Sequence, residues 1–239
     1  MRIMITGATS GIGKALTLAY AQAGHQVIAC GRNEQKLIEL SAMAVGIEYL
    51  CFDLTDFDSY PALTLAQGQL DLLILNAGDC EYIDDALAFD AKRFEKIINI
   101  NLVSVGYCLQ AWLANIKPTG RLVLISSSAQ YLPLSRAEAY GASKAALTYL
   151  GRTLAIDLAK HNISVTVVHP GFVDTPLTKR NRFTMPMIIT SEQAATNIIL
   201  GLEKGQSEIA FPKLFIFIIR SLAVLPQGLW RRLALRMSS

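Results

Sequence analysis

Tyr140 and Lys144 stand four residues apart in the segment YGASK, and on a helix that spacing stacks them on one face. A free phenol titrates near 10 and is a poor base at neutral pH, but an ammonium beside it, together with the positive ring of an oxidised nicotinamide, favours the phenolate. A downward shift of roughly two to three units would let Tyr140 take a proton from an alcohol or return one to a forming alkoxide. Ser126, Ser127 and Ser128 follow a short apolar run that ends at Ile125, so the Ser127 hydroxyl is placed to meet that helix face and hold a substrate oxygen. Asn99 and Asn101 lie inside a long helical period. An amide is awkward there unless it finds a partner or interrupts the ladder, and either side chain could instead simply face water.

Such chemistry needs a bound redox partner, and the N-terminus supplies a place for one. Residues 2–6 read as a strand that runs into Thr6-Gly7-Ala8-Thr9-Ser10-Gly11-Ile12-Gly13 and then an amphipathic helix. Gly7 suits a sharp turn off the strand, Gly11 a close approach to a pyrophosphate and Gly13 tight packing of helix on sheet, with Thr9, Ser10 and Ile12 between them at the helix end. The second strand ends in Cys30-Gly31-Arg32 with no acid until Glu34. An acid there would accept from ribose hydroxyls, whereas the Arg32 guanidinium suits the additional phosphate of NADP; a solvated arginine is the bland alternative. Asp53 and Leu54 follow the third strand, where the acid could accept from an adenine amino group beside Leu54, or could cap a helix starting near Thr55. Asn76-Ala77-Gly78 follows the fourth strand as a small turn at the crevice edge.

The elements that must position these groups can be read from the apolar pattern. Strand-like runs cover residues 2–6, 26–30, 47–52, 70–76, 121–126 and 164–169, with 207–211 as a last candidate. Helical period marks residues 12–23, 33–45, 57–67, 94–116, 139–161 and 191–204, the last with Thr190 or Ser191 as its cap and Glu192 and Gln193 in its first turn. Continuously apolar strands alternating with helices predict a doubly wound α/β fold, a parallel sheet covered on both faces, in one domain over residues 1–239.

Taken together, TGATSGIG, NAG at Asn76 to Gly78, ISS at Ile125 to Ser127 and YGASK resemble the motifs of the short-chain dehydrogenase/reductase family over nearly the whole chain. The resemblance implies a Rossmann-type sheet of about seven strands, a catalytic set of Ser127, Tyr140, Lys144 and Asn101, and dimers or tetramers built through the two long helices. It favours Asn101 over Asn99 through ININ at Ile98 to Asn101, and it gives Lys144 a second task on the ribose. It also implies that Pro170, Gly171 and Val173 contact the nicotinamide carboxamide and that Thr175 reaches toward it or the phosphates. His169 is read as a strand-end side chain rather than a metal ligand, and no metal is expected. Family members that use NADP often carry a basic residue just before Gly11, where this chain has Ser10. NADP(H) is the favoured cofactor and NAD(H) the alternative.

Composition bounds the rest. A hydrophobic fraction of 52% against 17% charged residues leaves apolar surface to be covered by an oligomer, lipid or substrate. A net charge of +3 is too mild to imply nucleic acid. Cys30, Cys51, Cys80 and Cys108 form no CxxC pair, which suits a reducing, cytoplasmic setting, and no secretion signal is seen. A substrate loop is expected at residues 176–190, short for a steroid cavity. Its cluster of Lys179, Arg180 and Arg182 is read as facing water in preference to an anionic group. The apolar, basic extension at 212–239 is too short in its greasiest part, 214–225, for the roughly 20 residues of a membrane span. Subunit packing ranks first for it, a lipid surface second and a wall of the substrate mouth third. The function expected is NADPH-dependent reduction of a ketone, aldehyde or 3-oxoacyl-type carbonyl. The alternatives are NAD-dependent oxidation of a secondary alcohol and a nucleotide-binding interaction protein without turnover.

Overall fold

The computed structural model of the chain describes residues 1–63, 68–181 and 183–237. Seven strands form one sheet: β1 Arg2–Thr6, β2 Gln26–Gly31, β3 Ile47–Cys51, β4 Leu70–Leu75, β5 Ile116–Ile125, β6 Ser164–Pro170 and β7 Glu208–Phe211. Every pairing is parallel and the order is β3-β2-β1-β4-β5-β6-β7. The order reverses between β1 and β4, so their carboxyl ends open a crevice. The strands are apolar on both faces because both are covered. Ile3 and Ile5 point into one core layer with Leu16 and Ile198, while Met4 points into the other with Leu147 and Trp112.

The first layer is packed by α1 Gly11–Gln22 and α6 Ser191–Glu203, with α2 Glu34–Ser41 beside β2 and β3. Thr190, rather than Ser191, caps α6, in a capping box with Gln193. The second layer is packed by α4 Ser104–Trp112 and α5 Glu138–Leu158. The helix expected at 94–116 starts earlier, as α3 Ala91–Ile98, because the Asp90 carboxylate accepts from Arg93 N at 2.9 Å and caps it. It is then interrupted by a π turn at Asn99–Val103 before α4. Although residues 91–115 are long and apolar enough to cross a bilayer, Ile97, Asn101, Val105, Cys108 and Trp112 are buried in this fold.

Two expectations fail. The helix expected at 57–67 is irregular over residues 57–63, and 64–67 lie outside the described residues. Pro61 disfavours helix at Tyr60, and the carbonyls are spent elsewhere: Trp112 Nε1 donates to Pro61 O at 2.8 Å and Asn115 Nδ2 to Leu63 O at 3.0 Å. β5 begins at Ile116, not at 121, because Ile116 pairs with Leu70 before the register shifts to Leu72 opposite Arg121.

Beyond β7 the extension folds as α7 Lys213–Ala223 and α8 Gln227–Met237. Phe215 and Ile216 are buried, and the Phe215 ring lies 5.4 Å from that of Phe172. Trp230 is buried too, its Nε1 donating to Pro133 O at 3.0 Å. The extension therefore packs on its own chain, beside the strand end that follows β6.

Candidate active site

The crevice has a volume of about 630 Å³ and runs from the end of β2 across β1 and β4 to the ends of β5 and β6. Its floor is the turn between β1 and α1, and glycine is required there for contact as well as conformation. Gly11 is in the left-handed region at φ 53°, and a Cβ on it would stand 2.9 Å from Thr175 Cγ2. A Cβ on Gly13 would lie 2.2 Å from Gly7 O, so α1 could not start where it does. Ser10 makes no side-chain cap and no acid stands in the first turn, so the helix N-terminus is left to accept an anion. Gly7, Thr9, Ser10, Gly11 and Ile12 line the crevice, whereas Gly13 lies behind it as a packing residue. That donor set fits a dinucleotide pyrophosphate.

Asn76 braces the same turn. Its Nδ2 donates to Thr6 O at 3.0 Å and Gly7 O at 3.3 Å, and Thr6 Oγ1 accepts from the backbone N–H groups of Asn76 and Ala77. At the β2 end, Arg32 is largely exposed and stands 3.8 Å from Asp53 Oδ2. Lys36 joins it in the crevice wall from the first turn of α2, whose cap is the Asn33 side chain accepting from Lys36 N at 2.9 Å. Lys36 escaped the sequence reading because a lysine in a first helical turn reads as solvated. Asp53 and Leu54 line the crevice, but no helix begins at Thr55; Asp53 Oδ1 instead accepts from Thr55 N at 2.8 Å and Thr55 Oγ1 at 2.7 Å.

Ser127, Tyr140 and Lys144 meet at the other end. Ser127 sits just past β5 in extended backbone, its Oγ accepting from Ala129 N at 3.1 Å, and its hydroxyl is the neighbour that draws the Tyr140 phenol downward. Ser126 ties α5 to β5 by donating to Lys144 O at 2.9 Å. Lys144 is buried, its Nζ donating to Ile125 O at 2.9 Å and lying 5.8 Å from the Tyr140 ring centroid. Burial pulls the ammonium down to about 8. The lowering of Tyr140 expected from Lys144 with an oxidised nicotinamide is not produced by the protein's own groups alone. Burial, helped by the neighbouring Cys80, pushes the phenol above its ordinary value against a smaller lowering from Ser127. The phenol is therefore held protonated, as a proton donor.

Asn101 is the amide that finds partners. The π turn carries it inward, where Nδ2 donates to Asp79 O and Ser143 Oγ, both at 2.9 Å, and Oδ1 accepts from Asp79 N at 2.8 Å. It lies behind the crevice lining, and bare Gly78 leaves space between it and the lysine: a Cβ there would be 3.1 Å from Asn101 Oδ1 and 3.3 Å from Lys144 Nζ.

Residues of the segment 176–190 pack against this end. Arg180 does not simply face water: it pairs with Asp79 and lies 3.3 Å from Cys80 O, while Lys179 stands 3.8 Å from Asp174. Arg182 lies outside the described residues. Tyr82 donates to Asn181 Oδ1 at 3.1 Å, and its ring meets Phe183 edge-on. Asp79 was missed because a lone acid after a turn carries no periodic signal. Pro170, Gly171, Val173 and Thr175 line the crevice after β6. His169 just before them is fully buried, with no hydrogen-bond partner for either ring nitrogen and Glu208 Oε2 at 3.5 Å; burial pulls it down to about 4.

A doubly wound sheet with an uncapped glycine turn and a Ser-Tyr-Lys group in one crevice defines a dinucleotide-dependent oxidoreductase. The model of the short chain dehydrogenase family matches residues 1–185, and the chain belongs to that family, as an NAD(P)-dependent dehydrogenase or reductase. It is similar to an uncharacterized oxidoreductase of Myxococcus xanthus, 33% identical across 98% of this chain and 96% of the relative. It is also similar to the L-xylulose reductase of Mus musculus, 31% identical across 75% of each. Among solved structures, a short-chain dehydrogenase from Streptomyces avermitilis superposes with a TM-score of 0.79 at 25% identity, over 92% of this chain and 90% of that one.

Proposed function

We propose that the chain is an NADPH-dependent reductase of a small ketone, aldehyde or 3-oxoacyl-type carbonyl. The observation that carries the reading is one crevice with Arg32 and Lys36 at one end and the Tyr140 phenol with Ser127 at the other. The reduced cofactor supplies a hydride when bound. The glycine turn and the N-terminus of α1 hold its pyrophosphate, and Arg32 with Lys36 holds the 2′-phosphate. Ser127 fixes the carbonyl oxygen and Tyr140 donates the proton that the forming alkoxide needs. Lys144 hydrogen-bonds the ribose and, while charged, favours release of that proton by Tyr140; Asn101 fixes the loop beneath it.

Support for small carbonyl substrates comes from the names of relatives: L-xylulose reductase, and the D-erythrulose reductase of Gallus gallus, which is 33% identical across 75% of this chain and 74% of the relative. The enzyme acts as a cytoplasmic homodimer or homotetramer through α4 and α5. Tyr149 and Ile156, both 77% exposed on α5, would be covered in that assembly. Titration with NADPH and NADH tests the cofactor reading: NADPH binds more tightly, and Arg32→Ala with Lys36→Ala removes the preference. Equal affinity for the two in the parent protein would sink it.

A further inference from the structure

The outward face of α7 is an apolar stripe at helical spacing, with Leu214 61%, Phe217 69% and Ile218 40% exposed and Val224 just beyond it 83% exposed. It is not a loose end. The inner face is seated by Phe215 and Ile216, and Arg220 donates to Tyr131 Oη at 2.7 Å and lies 3.5 Å from Glu208. On α8, Trp230 is buried while Leu229 and Leu235 are exposed at 45% and 61%. Both helices are thus fixed with apolar side chains facing out.

Charge selects the occupant. From residue 209 to the C-terminus the chain has no Asp or Glu but carries Lys213, Arg220, Arg231, Arg232 and Arg236. Arg220 is matched by Glu208, whereas Lys213 on α7 and Arg231 and Arg232 on α8 are exposed. A second copy packed by two-fold symmetry would bring these cations against themselves with no acid on the segment to match them. We infer that α7 and α8 form a docking surface for an anionic phospholipid bilayer, with Leu214, Phe217, Ile218 and Val224 entering the headgroup boundary and the cations on lipid phosphates. At 11 residues, α7 is about 16 Å long and lies on the surface, since a span needs about 30 Å.

The test is flotation of the full-length protein with phosphatidylcholine vesicles, with and without phosphatidylglycerol. The expected result is binding to the anionic vesicles at least tenfold stronger than to the neutral ones and weakened by salt. Phe217→Glu and, separately, Arg231→Glu with Arg232→Glu should each reduce it at least tenfold, with the circular dichroism melt of each variant unchanged. No binding to either vesicle would overturn the inference. So would light scattering in which the parent protein forms an assembly that Phe217→Glu dissolves, because a second copy would then cover the stripe.

Discussion

Lys144 carries its charge only below pH of about 8, because burial has drawn its ammonium down to that point. Any turnover that uses the cation therefore falls as pH rises through about 8, and a pH profile of reduction at saturating NADPH shows that descending limb. A profile flat through this range would mean that the charge is not used. The same corner depends on what Gly78 lacks. With a Cβ 3.1 Å from Asn101 Oδ1 and 3.3 Å from Lys144 Nζ, Gly78→Ala forces both to give by a few tenths of an ångström. Turnover should drop roughly tenfold, since misplacement by about 1 Å costs about a hundredfold, while the thermal midpoint barely moves. The candidate site was legible in the sequence because Tyr140 and Lys144 are four apart on one helix, α5. The charge states were not, because burial is set by the whole fold and here raises the phenol, with Ser127 as the group that lowers it.

At the scale of elements, β6, β7, α5 and α7 converge on one polar junction, of which His169 is the buried member. His169 faces Glu208, which in turn meets Arg152 at 2.7 Å and Arg220 at 3.5 Å, while the Tyr131 ring lies 5.2 Å from the imidazole. Burial holds the folded-state His169 down to about 4, against 6.5 for an unperturbed histidine. Below pH 6.5 the unfolded chain binds a proton that the folded chain refuses, so this contribution is complete above 6.5 and lost as pH falls toward 4. Chemical denaturation between pH 7 and 4 should show this decline, and His169→Phe should flatten it; an equally steep variant would place the acid sensitivity elsewhere. The apolar runs that form β1, β2, β4 and β6 were readable because they are buried on both sides. Residues 57–63 were misread because Trp112 and Asn115, some fifty positions away, take their carbonyls. The π turn was visible only as an amide in an apolar helix, an anomaly that marked Asn101 without saying how its partners would be reached.

At the scale of the molecule, the apolar fraction of 52% leaves large hydrophobic side chains exposed, and some of them stand on two separate helices. One is α5, where Tyr149 and Ile156 are 77% exposed and uncharged. Light scattering should give a mass two or four times 26.1 kDa, and Ile156→Glu should shift it toward the monomer. A monomeric parent protein would contradict assembly through that face. The other is α7, where with α8 the exposed Lys213, Arg231 and Arg232 have no acid on the segment to match them in a two-fold contact.

The most direct test of the account is reduction of a carbonyl panel by NADPH, comparing the parent protein with Tyr140→Phe. The substitution removes one hydroxyl from a crevice that should otherwise keep its shape. The account predicts NADPH binding and thermal midpoint within error of the parent, and turnover lowered by about a hundredfold or more. Turnover by Tyr140→Phe close to the parent's would contradict it, since the proton would then come from another group.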